Sequence, residues 1–151
     1  MGRRTTLALA CTVALACSRT ASDPRPDAVR VTIQGATVVA ELARTPEERA
    51  RGLSDRDSLA PDRAMLFVLE AREQHGFWMQ GMRFDLDLVW IAGDRIVDVT
   101  HGASHLDPER ILAPRAPADR VLEVVAGTAR ARGWGPGDRV ETEPPIGPGS
   151  T

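Results

Sequence analysis

Residues 86–100 read Leu86-Asp87-Leu88-Val89-Trp90-Ile91-Ala92-Gly93-Asp94-Arg95-Ile96-Val97-Asp98-Val99-Thr100, two apolar runs either side of a Gly-Asp pair. Short runs of β-branched and aromatic residues divided by a turn dipeptide predict an antiparallel hairpin, with strands from Leu86 to Ala92 and Arg95 to Thr100. Glycine in the first turn position favours a II′ turn. Upstream, VRVTIQ and TVVAELA separated at Gly35-Ala36 predict a second hairpin from Ala28 onward. Between the hairpins, Thr45-Pro46-Glu47-Glu48-Arg49 signals a short helix three times over: threonine as N-cap, proline at the first helical position and Glu48 closing a capping box. Gly52 ends it. Met65 to Leu69 predicts a buried strand and Gly76 to Met79 another.

Residues 101–118, with three prolines and no period, predict a long irregular loop of the kind that often carries function. Arg120 to Val125 returns to strand, Gly127 to Trp134 predicts a short helix or turn, and Gly137 to Glu141 a closing strand. About seven short strands and one or two short helices predict a mainly β domain, a small β-sandwich or a partly closed barrel, not a βαβ fold. The domain runs from residue 29 to 143, and residues 144–151 form a loose tail.

Composition narrows the function. The 151 residues are 42% hydrophobic and 26% charged, an ordinary globular balance. The 21 acidic and 19 basic residues offer no polybasic surface for nucleic acid, and no apolar run reaches the 18 residues of a membrane span. The start, MGRRTTLALACTVALAC, pairs a positive segment (Arg3, Arg4) with a short apolar one, the pattern of a secretory signal peptide over residues 1–16. It ends on Ala14-Leu15-Ala16-Cys17, which resembles a lipobox, where cleavage exposes a cysteine that becomes diacylated. Cys17 is thus the expected lipidation site. Ala14 replaces the more usual leucine, so plain cleavage after Ala16, giving a soluble periplasmic protein, is the alternative. Cutting at Cys11 would leave too short an apolar segment.

With both cysteines at or before the cut, the mature domain has none for a disulfide, a thiolate nucleophile or a Cys-held metal. Without Arg3 and Arg4, 17 basic residues, all arginine, face 21 acidic ones, a net charge of −4. Ser18 after Cys17 resembles the pattern sent to the outer membrane, and the Pro-rich polar residues up to Ala28 suit a tether.

Several pieces recur in a family-like order: Glu48-Arg49 with Gly52-Leu53, Met65-Leu66-Phe67, Phe77-Trp78-Met79, Leu86-Asp87, Val121-Leu122-Glu123, Gly127-Thr128 and Gly137-Asp138. Together they resemble family 192 of the domains of unknown function, over roughly residues 30–141. That resemblance implies a compact β-sandwich-like fold, often exported and sometimes lipid-anchored, with no established activity and no catalytic residues to carry over. The chain departs from the family pattern at Gln80-Gly81-Met82, where a basic residue and asparagine are usual, and at Asp85, where proline is usual.

Candidate chemistry is sparse. Phe77-Trp78-Met79 with Trp90 would make an aromatic platform for a sugar or a flat ligand, though with three Trp, three Phe and no Tyr the core competes for these side chains. Strand alternation sets Phe77 and Met79 opposite Trp78, which leaves Trp78 as the ligand-facing candidate. Arg49 would anchor the helix by pairing with Asp87 or Asp57, or receive a ligand carboxylate. Asp87 either joins the ligand site or caps backbone N–H groups. Asp85, Asp94 and Asp98 add carboxylates that a catalytic pair would need, with a turn role for Asp94 and a solvated strand end for Asp85 as the simpler readings. His101 and His105, with Asp107, would hold zinc only if helical, and Gly102 and Pro108 oppose that; His75 stands apart. Ser54, Ser58 and Ser104 lack a nucleophile-elbow setting.

The expected protein is therefore an envelope lipoprotein whose β domain binds a small ligand, an envelope polymer or an envelope protein through Arg49, Trp78 and Asp87. No cofactor or resident metal is expected. A metal-assisted or carboxylate enzyme built on His101, His105, Asp87 and Asp98 is the alternative, and a structural or assembly factor the third reading.

Overall fold

A computed structural model describes residues 28–147; the expected signal peptide, Cys17 and the tether before Ala28 lie outside the described residues. Seven strands and two short helices follow in the order β1 (Ala28–Ile33), β2 (Ala36–Ala43), α1 (Pro46–Arg51), β3 (Arg63–Glu73), β4 (Leu86–Ala92), β5 (Arg95–Ala103), β6 (Ala118–Val125), α2 (Thr128–Ala131) and β7 (Val140–Glu143). All seven strands form one sheet in the order β5-β4-β6-β3-β2-β1-β7. Its edges approach each other where Arg95 bridges Arg139 and Val140 N donates to Asp94 O at 2.8 Å. The sheet therefore curls into a half-barrel, so the mainly β expectation holds in its barrel form, and among the described residues two packed sheets do not arise.

Local chemistry explains the hairpins. Gln34 and Gly35 both take positive φ between β1 and β2, as a I′ turn needs, whereas between β4 and β5 only Gly93 does, as a II′ turn needs. Most neighbours pair antiparallel, but β2 and β3 run parallel, with α1 as the crossover between them. Strand spacing, which predicts no βαβ unit, does not encode this local one.

Strand alternation divides the apolar residues between two faces. One cluster draws on all seven strands, with Ile33, Leu66, Ile91, Ile96 and Leu122 among them, and fills the inside of the curl together with Ala129 and Trp134. The second lies on the outer face of β3, β6 and β4 and includes Met65, Phe67, Leu69, Leu88, Trp90 and Val121. An outer sheet face that is this apolar needs a cover, and Leu53, Leu59, Met79 and Leu112 supply it from the connecting segments.

Two boundaries differ from expectation. Gly76 to Met79 is not a strand: only Phe77 bridges Leu112, with two backbone hydrogen bonds of 2.8 Å. β5 continues past Thr100 to Ala103 because an extra residue is absorbed in a bulge. Leu88 pairs Thr100 but Leu86 pairs Ala103, and Gly102 takes the positive φ that the bulge requires. The irregular loop is accordingly shorter, residues 104–117.

Candidate functional site

A cavity of about 340 Å³ opens on the outer face, between the sheet and its cover. α1 forms one wall. Its six residues include none that is buried, so its position depends on polar contacts. Thr45 Oγ1 accepts from Glu48 N while Glu48 Oε2 accepts from Thr45 N, the reciprocal capping box read from the sequence. Arg49 ties the helix to the sheet: its guanidinium donates to the carbonyls of Arg44 and Val68 and to Glu70 Oε1 at 2.6 Å. The anchoring role is thus observed with Glu70 as partner, not Asp87 or Asp57. At the C-terminal end of α1, Gly52 adopts φ +48° with Phe67 beneath it. A Cβ there would come within 3.2 Å of the Phe67 ring, so this close approach requires glycine.

The opposite wall is aromatic. The Phe77–Leu112 bridge pins residues 76–79 over the sheet, where Phe77 meets Phe67 edge-to-face at 5.1 Å and Trp90 at 5.3 Å. Phe67, Phe77 and Trp78 all line the cavity, with Leu69, Met82 and Leu53. Trp78 is 50% exposed, a large apolar side chain left on the surface at the cavity mouth. Trp90 does not line the cavity but supports Phe77 from beneath: it is fully buried and its indole N–H donates to Thr100 Oγ1 at 2.9 Å.

Among the described residues, one acid reaches the cavity from the sheet. Glu123, in the centre of β6, is 6% exposed and stands between Met65 of β3 and Leu88 of β4. Along this row the next acid, Glu41 of β2, is met by two hydrogen bonds from Arg56 at 2.7 and 2.8 Å. Among the described residues Glu123 has no hydrogen bond or ion pair. Burial alone pushes its carboxyl up to about 8 from an ordinary 4.5, so it holds a proton at neutral pH. Strongly shifted titratable groups in clefts mark functional sites more often than chance. Glu123 is not among the residues that the sequence marks as site candidates. The available signal was a lone acid inside Val121-Leu122-Glu123-Val124-Val125, a run otherwise wholly apolar.

Arg49 and Trp78 share the cavity. Asp87 does not: it is fully buried on the inner face, with Oδ1 accepting from Gly102 N and Oδ2 from Ala129 N, both at 2.9 Å. It satisfies the bulge and caps α2, whose N-cap Gly127 has no side chain to do so. The capping reading of Asp87 is the one the geometry realises, and its place in the ligand site is corrected. Asp85 accepts from both the backbone N and the ring Nδ1 of His105, and these bonds hold its carboxyl below the usual range. Asp98 accepts from Val99 N and Arg115 N. His101 stands 4.0 Å from Asp87. Among the described residues, no three His, Asp or Glu side chains are placed to share a metal ion. His75 lines the cavity and its ring is bonded to Ala71 O at 2.7 Å.

Comparison with known proteins agrees with the fold. No curated protein matches. A solved structure of a candidate transcription regulator from Sinorhizobium meliloti 1021 is similar at 33% identity with a TM-score of 0.70, over 77% of this chain and 92% of that one. A protein of unknown function from Novosphingobium aromaticivorans DSM 12444 is similar at 32% identity with a TM-score of 0.68, over 76% and 83% of the two chains. The model of the DUF192 family, described as Uncharacterized ACR, matches residues 29–142, and on that span and these identities the chain belongs to this family.

Proposed function

We propose that this chain is exported, held to a bacterial membrane by lipid on Cys17, and binds a small ligand non-covalently in the outer-face cavity. The observation that carries the binding reading is the cavity itself: about 340 Å³, walled by Phe67, Phe77 and Trp78, with the unpartnered Glu123 at its floor. Mostly apolar walls with one buried polar group are what small-molecule sites generally share. Trp78 supplies stacking area, while Arg49, already committed to two carbonyls and Glu70, holds the wall in place. The export reading rests on the residues of positions 1–17.

The Sinorhizobium relative's description would suggest a nucleic-acid partner. A chain with 21 acidic and 19 basic residues gives that reading no electrostatic support, so a soluble ligand is preferred.

The test combines intact mass with binding. Purified from membranes, the protein should carry the mass of a diacylated Cys17, and the Cys17→Ala variant should not. In the folded domain, toluene or 2-phenylethanol should bind saturably by chemical-shift titration, with shifts centred on Phe67, Phe77 and Trp78. Trp78→Ala should weaken that binding about tenfold with the spectrum otherwise intact. Shifts scattered over the surface would reject the site, and equal affinity in the variant would reject the role of Trp78.

A further inference from the structure

We infer that the outer-face cavity selects a ligand carrying an ammonium or amidinium group on an apolar body, with Glu123 as the counter-charge and the surrounding aromatic rings as its cage. The inference rests on the binding reading above and names the chemical class of the ligand.

Three features point to a cation. Glu123 is nearly fully buried and unpartnered, unlike Glu41 in the same row, to which Arg56 gives a bidentate pair. The protein thus provides a carboxyl at the cavity floor and leaves its partner to come from outside. Second, Phe67, Phe77 and Trp78 line the same space, and aromatic faces attract a desolvated cation. Third, ionising the carboxyl at pH 7 is only about tenfold unfavourable, because its midpoint near 8 lies about one unit higher. An ammonium a few ångströms away in a poorly solvated site more than compensates.

The charged neighbours are few. β3 and β4 place Met65 and Leu88 beside Glu123. Arg49 and Arg51 of α1 and His75 of the β3–β4 connection share the cavity lining. Arg49 is neutralised by Glu70 at 2.6 Å, and Arg51 is exposed at the mouth, where solvent screens it. Proton balance follows directly. The protonated Glu123 and an ammonium ligand combine to a carboxylate–ammonium pair, and the carboxyl proton leaves to the buffer.

Calorimetry at pH 7 in phosphate and in Tris measures that proton, using 2-phenylethylammonium, its neutral counterpart 2-phenylethanol and the anion phenylacetate. The ammonium should bind at least about tenfold more tightly than the alcohol and release close to one proton, because a carboxyl with this midpoint is about nine-tenths protonated at pH 7. Glu123→Gln should abolish the release and the preference while still binding the alcohol. Proton release in the unaltered protein is a readout that does not depend on any variant folding. If alcohol or phenylacetate binds as well as the ammonium, or if the ammonium binds without proton release, the inference fails while the cavity stands. If none of the three binds, the cavity reading fails with it.

Discussion

Glu123 shows how one side chain can be a cost to the fold in the absence of a partner. The unfolded chain loses the carboxyl proton near the ordinary 4.5, whereas the folded protein keeps it to about 8. Between these values the folded state binds more protons, so stability falls as pH rises through the window and levels off above it. The slope from this group reaches about 1.4 kcal/mol per pH unit. Glu123→Gln has no such proton to lose. Urea unfolding at pH 5 to 9 should show the two proteins nearly equal at pH 5 and the variant more stable at pH 9, by on the order of 3–5 kcal/mol. Parallel pH dependences would mean that water reaches Glu123 freely. Asp87 shows the opposite economy. It is as deeply buried, but both of its oxygens accept backbone N–H bonds that the bulge and α2 would otherwise leave unmade. That contrast sets what could be read from the sequence. An acid within Leu86–Ala92 suggested a cap for nearby backbone, whereas an acid within Val121–Val125 looks like one residue on the wet face of a half-buried strand. Only the covering segments, distant in sequence, turn that face into the wall of a cavity.

At the scale of elements, legibility follows the range of the interaction. α1 was readable because its capping box acts within four residues, and both hairpins were readable because their turns depend on glycine φ. The parallel β2–β3 pair and the cover formed by residues 76–79 depend on contacts that no local pattern encodes, and Phe77-Trp78-Met79 resembles a strand while it makes only one bridge. α1 therefore invites a test of how far local signals control the site. With no buried residue, the helix owes its place to Thr45, Glu48 and Arg49. Thr45→Ala removes the N-cap acceptor and should cost about 1 kcal/mol. The loss should stay local. Hydrogen exchange at the Arg49 and Gly52 amides, which bond to Thr45 O and Glu48 O, should accelerate, and affinity for a cavity probe should fall several-fold. The melting temperature should drop by no more than about 5 °C. Unchanged affinity with faster exchange would show that α1 is not needed as a wall.

For the whole molecule, the half-barrel separates the cavity from the seam that closes the sheet. The seam lies where β5 meets the segment before β7: Ile96 N donates to Asp138 O at 3.0 Å, Gly137 N to Ile96 O at 2.8 Å and Val140 N to Asp94 O at 2.8 Å. Asp138 organises this segment, its Oδ2 accepting from Gln34 Nε2 at 2.7 Å and Gly135 N at 2.8 Å, bonds that also hold its carboxyl below the usual range. The cavity sits on the outer face of β3 and β6, and β6 and β4 separate β3 from β5 on one side while β2 and β1 separate it from β7 on the other. Opening the seam should therefore expose β5 and β7 as edges without moving Phe67, Phe77 or Glu123. Asp138→Ala should speed exchange at the Ile96 and Val140 amides by about an order of magnitude, as the loss of one or two net hydrogen bonds allows. The Leu66 and Leu122 amides, inside the central strands, should keep their protection, and affinity for 2-phenylethylammonium should stay within about twofold of the unaltered protein. Seam and cavity would then be independent units of one sheet. A fall in affinity that tracks the faster exchange would instead show that curl and cavity form a single cooperative unit, so that a ligand bound beside Glu123 also tightens the closure between β5 and β7.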